Sequence, residues 1–287
     1  MESKPDWLER IKLFEKNLSR AERDLLRYVN VNPEKVLIYT QKEFAAAANV
    51  SKPIVISFFK KLGYSSHREF QHSIEDFFST HIDSYRASQN VKNKFDNIED
   101  LIKEAFEVDI RAMERLSVAV SPDSVTRTVG EILNRRTIWI TGPGTAYYPA
   151  HYLYQRLRRY QISSMFVTQD PTHRIDELYP ASGNDMMIIF HYTEEDKWLS
   201  PILDFAGKRN IFRVLVSAII HPRYINESDV FFHVPRGELN FKNSMALPMA
   251  FSNMLLLALE NAGGEEIQKK LKGLEIARSE WNEFLRD

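Results

Sequence analysis

Residues 40–64, TQKEFAAAANVSKPIVISFFKKLGY, carry the spacing on which the rest of the reading turns. Thr40, with Glu43 three residues on, makes a capping box, which satisfies orphan amides at a helix start. The helix it opens runs through Phe44 to Ala48, and its small alanines let a neighbouring helix approach closely. Asn49-Val50 forms the turn. Ser51 is a good N-cap for the next helix, and Pro53 is tolerated in the first turn because those amides lack intrahelical acceptors. Val55, Phe58, Phe59 and Leu62 form an inward stripe, Lys52, Ile56 and Lys60 lie on the other side, and Gly63 is a natural C′ stop. Two helices joined by so short a turn fit helix-turn-helix geometry, in which the second enters the major groove amino end first. Ser51 and Lys52, beside Pro53, are then within reach of phosphate, Ile56 of a thymine methyl and Ser57 of a base edge. Lys60, Lys61 and Arg68 are candidate clamps on the DNA backbone, the alternative being an ordinary solvated helix face.

Upstream, Trp7, Leu8, Ile11 and Phe14 recur at helical spacing. A second amphipathic run, Ala21 to Val29, is broken at Asn32-Pro33. Downstream, residues 70–134 read as helical, with a hinge in the polar stretch 87–94, ASQNVKNK. Ser121-Pro122-Asp123 starts a further helix. The chemistry then changes. Thr137–Thr141, Ser163–Thr168, Asp185–Phe190, Ile211–Ser217 and Asp229–Val234 are strand candidates, separated by segments long enough for crossover helices. That pattern predicts a mainly parallel sheet flanked by helices. In such sheets ligands bind beyond the carboxyl ends of the strands at the topological switch point. The turn after the first strand, Gly142-Pro143-Gly144, can expose amides to an anion, or it is a tight turn without a ligand. It lacks the lysine of a nucleotide P-loop and the third glycine of a dinucleotide fingerprint.

The bulk numbers bound the function. A chain of 287 residues, 44% hydrophobic and 12% aromatic, can bury one large core or two ordinary ones. Residues 1–80 carry 13 Lys/Arg and 11 Asp/Glu, a net +2 that permits a nucleic-acid contact without requiring one. The absence of cysteine excludes disulfides, cysteine-ligated metals and a thiol nucleophile. Five of the eight histidines fall after residue 150 without a metal-ligand spacing, so neither metal nor cofactor is expected. The opening MESKPDWLERIKLFEK reads as neither a secretory signal nor a lipidated terminus, and a cytoplasmic protein without a membrane partner is expected.

The stretch from Leu18 to Phe70, LSRAERDLLRYVNVNPEKVLIYTQKEFAAAANVSKPIVISFFKKLGYSSHREF, resembles the amino-terminal domain of the RpiR-type bacterial transcriptional regulators. The resemblance implies DNA binding by the head. It also carries a departure: the family usually has Thr and Arg where this chain has Ile54 and Ser57. Residues 105–260 look like a SIS domain, the sugar isomerase fold that follows the DNA-binding domain in those regulators. ITGPGTA matches the first phosphate-side turn, MIIFHYTEED the segment usually written V-I-A-I-S-x-S-G-x-T, and NSMALPMAFSNMLL the final helix beside the site. On this resemblance the effector residues are Gly142, Gly144, Thr145, His191, Thr193, Glu194 and Asp196. The departures fall on the phosphate chemistry. Thr145-Ala146 stands where glycine or alanine followed by serine is usual; His191 and Thr193 replace two serines, Glu194 a glycine and Asp196 a threonine. A carboxylate there repels a doubly charged anion, which leaves three readings open: a phosphosugar, another polar metabolite, or a vestigial pocket.

The expected organisation is therefore multidomain: an all-α helix-turn-helix head over residues 1–85, a linker over 86–104, and an α/β SIS-like body over 105–287. The expected function is a non-enzymatic transcriptional regulator, DNA-binding and controlled by a small polar metabolite, with a sugar-phosphate isomerase-like enzyme as the alternative. The resemblance also implies a homodimer, with a tetramer as the alternative, presenting two heads to a double-stranded operator. The apolar run from Phe241 to Leu259 is read as shared between the sheet and a subunit interface.

Overall fold

Local capping chemistry starts the helices of the head. In the computed structural model, which describes residues 7–14, 17–79, 95, 97–168, 173–192, 196–236 and 244–284, Ser19 begins the helix Arg20–Val31 and Thr40 begins Gln41–Ala47. Each is locked by a reciprocal box with Glu22 or Glu43. The head comprises α1 (Trp7–Phe14), α2 (Arg20–Val31), α3 (Pro33–Ile38), α4 (Gln41–Ala47), α5 (Lys52–Lys61) and α6 (His67–Ser79). The expected break at Asn32-Pro33 is a single residue long. Pro33, whose missing amide costs nothing at N1, opens the additional short helix α3. Gln71 from α6 closes the far end of that helix: its Nε2 lies 2.9–3.0 Å from the carbonyls of Val36, Leu37 and Tyr39.

Between α4 and α5 the chain turns through Asn49 at φ 54°, a left-handed conformation that asparagine tolerates better than most residues. The inward stripe of α5 is buried as its spacing predicts, with Val55, Phe58 and Leu62 at 0% exposure. Phe44, Phe59 and Phe70 form an aromatic centre, with ring centroids 4.4 Å apart for Phe59–Phe70 and 6.2 Å for Phe44–Phe59. Gly63 follows α5 at φ 77°, where the guanidinium of Arg10 donates to the carbonyls of Leu62 and Gly63 at 2.8 and 2.9 Å.

A second compact unit holds the sheet. It contains α7 (Ile98–Ala119), α8 (Pro122–Asn134), β1 (Ile138–Thr141), α9 (Tyr147–Arg159), β2 (Ser164–Phe166), α10 (Arg174–Leu178), β3 (Met186–His191), α11 (Asp196–Lys208), β4 (Phe212–Ser217), β5 (Val230–His233) and α13 (Ala246–Phe284). The short α12 (Pro222–Glu227), in the chain between β4 and β5, groups with the first unit except at its last residue. All five strands pair parallel in the order β2-β1-β3-β4-β5. β1 and β3 are buried along their whole length, as centre strands covered on both faces must be. Helix α7 begins at Ile98, inside the stretch read from sequence as linker; the hinge placed at residues 87–94 lies outside the described residues.

The last helix packs against α7, α8 and α9 of its own unit. Leu247, Phe251, Leu255, Leu256 and Leu259 are at most 2% exposed, so the apolar run of α13 is filled largely by the chain's own core. Its continuity is interrupted at Gly264 (φ 47°, ψ −131°), after which the amphipathic tail remains helical to Phe284.

Candidate nucleic-acid interface and effector pocket

The amino end of α5 is exposed at Ser51, Lys52 and Pro53. A serine N-cap normally accepts from the second or third amide of its helix. Here the second position is Pro53, which has no amide, and the Ser51 side chain makes no cap bond. Lys52, Lys60 and Arg68 are exposed and make no ion pair among the described residues, and Ile56 is half-buried. Ser57 and Lys61 are engaged within the head. Ser57 Oγ donates to Glu22 Oε1 at 3.0 Å, and Lys61 Nζ donates to Glu22 Oε2 at 2.7 Å. Glu22 is 2% exposed. Burial by itself raises its pKa; the bonds from Lys61, Ser19 and Ser57 outweigh that and hold the carboxyl at about 2. One carboxylate thus closes the capping box of α2 and ties α2 to α5.

In the body the chain passes from β1 outward to β2 and then back to β3, so the switch point lies between the carboxyl ends of β1 and β3. The turn Gly142-Pro143-Gly144 leaves β1 there. A Cβ on Gly142 would lie 2.6 Å from the Ala146 carbonyl oxygen, whereas one on Gly144, at φ 54°, would meet nothing within 4 Å. The turn is therefore tight on one side and open on the other. Gly144–Ala146 form a single 3₁₀ turn before α9, with Thr145 exposed. At the end of β3, His191 is fully buried, and its ring stacks parallel to Trp198 at 6.3 Å. Trp198 in turn lies 5.5 Å from the Arg174 guanidinium. Thr193 and Glu194 lie outside the described residues. Asp196 is the first residue of α11.

Two residues outside the expected effector set lie beside these turns. Tyr192, next to His191, is 1% exposed, and burial pushes its phenol pKa up. Arg236 follows β5, lies 5.7 Å over the Tyr192 ring and donates from Nη1 to Thr145 Oγ1 at 3.4 Å. Its burial lowers the guanidinium's pKa from the usual value. The signal in the sequence was a basic residue shortly after the last strand, on the ligand side of a parallel sheet.

A cavity of about 520 Å³ lies elsewhere, lined by Glu131, Asn134, Arg135, Arg136 and Asn184 at the amino ends of β1 and β3. Its arginines are already bound, Arg135 to Glu131 and the Gly183 carbonyl, Arg136 to Asp185. Among the described residues no group of three or more His, Cys, Asp or Glu could hold a metal, and no helix is long and apolar enough to cross a membrane.

Residues 6–81 match the helix-turn-helix domain of the rpiR family. An uncharacterised HTH-type transcriptional regulator of Providencia stuartii is 20% identical over 232 residues, 79% of this chain and 80% of that one. Among solved structures, the Vibrio vulnificus NanR protein complexed with ManNAc-6P matches with TM-score 0.53 and 16% identity, over 93% of this chain and 96% of that chain. The sugar isomerase domain of an RpiR transcription factor from Sphaerobacter thermophilus matches with TM-score 0.55 and 19% identity, over 61% of this chain and 98% of that one. At these identities the structural likeness establishes the fold. Residues 6–81 match a helix-turn-helix domain of the rpiR family, and the body that follows shares its fold with the sugar isomerase domain of an RpiR transcription factor.

Proposed function

We propose that the protein binds a double-stranded DNA operator through α5 and that a small polar metabolite, seated at the β1/β3 switch point, biases that binding. The observation that carries the reading is the free amino end of α5 within an rpiR-family domain: a serine hydroxyl released from capping, flanked by exposed Lys52, Lys60 and Arg68. Exposed cations there suit phosphate positioning, and Ile56 is the side chain placed for apolar contact with a base edge. Ser57 and Lys61 contribute by setting the pitch of α5 through Glu22, and Lys61, 41% exposed, keeps part of its charge toward solvent.

The effector reading is supported by the open side of the Gly142–Thr145 turn and by the relatives' fold. NanR was solved with ManNAc-6P, a phosphorylated sugar, which makes a phosphosugar the leading ligand class for this pocket as well. A regulator is favoured over an isomerase because the body follows a helix-turn-helix domain of the rpiR family. A dimer fits α7, along which Ile98, Ile102, Phe106 and Ile110 recur every four residues at 51–69% exposure, an apolar stripe suited to a second copy. Operator binding places the protein with the chromosome in the cytoplasm.

The test is selection of genomic fragments by the full chain, repeated with fractionated cytoplasmic metabolites. A shared motif whose enrichment changes with one fraction supports both halves of the proposal; enrichment indifferent to every fraction removes the effector half. Control of this kind requires the ligand to bind the DNA-competent and incompetent states unequally.

A further inference from the structure

Arg236 lies three residues beyond the end of β5, and its backbone is pinned by the Ser244 amide, which donates to its carbonyl at 2.9 Å. Its side chain is partly buried. An arginine withdrawn from water is ordinarily matched by a carboxylate, as Arg213, 21% exposed, is by Asp229 at 3.1 Å. Arg236 makes no ion pair among the described residues. Among the described residues its side chain meets neutral groups, the Thr145 hydroxyl at 3.4 Å and the face of the Tyr192 ring at 5.7 Å. These partners follow β1 and β3, the two strands that flank the switch point. Tyr192 is itself fully buried, and its hydroxyl has no hydrogen-bond partner among the described residues. Open space lies beside the adjoining Gly144.

We propose that Arg236 is the charge-selecting residue of the pocket, binding the phosphoryl or carboxylate group of the ligand together with the Thr145 hydroxyl. The proposal rests on the effector reading of the same pocket. A guanidinium presents five N–H donors in a planar fork, and here one is spent on Thr145. The remaining donors match two oxygens of an oxyanion, and the anion supplies a counter-charge that none of the described residues gives Arg236. A cation at this position offsets the scarcity of hydroxyls in a turn that carries Thr145-Ala146 and is followed across the sheet by His191. It makes the pocket selective for anions over neutral sugars of the same size.

The experiment uses the full chain and two probes, inorganic phosphate and acetate, followed by NMR at the Thr145 amide, in the wild type and in R236K, R236Q and T145V. Saturable shifts in the wild type, weakened about 10- to 100-fold in R236Q and less in R236K, are expected. T145V, which leaves the cation in place at an exposed position, is expected to lose about 3- to 10-fold. The stronger of the two probes identifies the oxyanion class. Wild-type affinity in R236Q overturns the assignment while leaving the effector reading intact. No shift with either probe in the wild type also overturns it, and the response of operator binding to metabolite fractions then decides whether the effector reading falls with it. Retention of the wild-type melting temperature in R236K guards against loss of fold.

Discussion

Replacing Glu22 with glutamine removes the charge that three parts of the head share while preserving side-chain volume. In the folded head the carboxyl titrates at about 2 against an ordinary 4.5, a displacement worth roughly 3 kcal/mol. Lys61 is 41% exposed, so water screens part of its share, and the expected loss in E22Q at pH 7 is about 2 kcal/mol. The sign follows from the direction of the shift. A carboxylate whose pKa is lowered by folding stabilises above its unfolded value near 4.5, and that contribution fades as pH falls toward 2. The difference between wild type and E22Q is therefore full at pH 7, begins to shrink near pH 4.5 and is small at pH 2.5. Urea titration read from resolved methyl signals of Leu25, Val29 and Val55, all at 0% exposure, reports the head separately from the body. A stability difference that is the same at pH 7 and pH 2.5, or below about 0.5 kcal/mol at pH 7, would refute the account of this carboxylate.

Other consequences follow from single positions. Gly63→Ala places a Cβ 2.8 Å from Arg10 Nη1 at a positive φ, and should destabilise the head by about 1–3 kcal/mol in the same titration; an unchanged midpoint contradicts the packing of Arg10. Gly142→Ala forces the switch-point turn away from the Ala146 carbonyl and is expected to cost about 1–3 kcal/mol in the body and abolish anion binding, read by calorimetry and by NMR at Thr145. Phe106→Glu puts a charge into the exposed stripe of α7, and sedimentation velocity should show a shift from dimer toward monomer, whereas an unaltered dimer places the interface elsewhere.

What could be read in the sequence is what local spacing encodes. The Thr40–Glu43 box, the inward stripe of α5, Gly63 and five strands bounded by turn residues are all matters of neighbours a few positions apart. Helix α3 escaped notice because a proline that ends one helix also serves as the first residue of another. The tie from Glu22 to Ser57 and Lys61 spans 35 and 39 residues, and the bond from Arg236 to Thr145 spans 91. No periodicity announces such pairs, because the tertiary fold brings them together. The apolar run of α13 was visible, but composition could not distinguish a helix buried in its own unit from one held for a partner.

The central claim, that α5 reads DNA through its exposed cations, is tested most directly by measuring operator affinity of the full chain against salt concentration, for the wild type and for Lys52→Ala/Lys60→Ala. The account predicts weaker binding by the double variant with its fold intact, and a slope of log affinity against log salt reduced by about 2 for each head engaged. Unchanged affinity with an unchanged slope would contradict it.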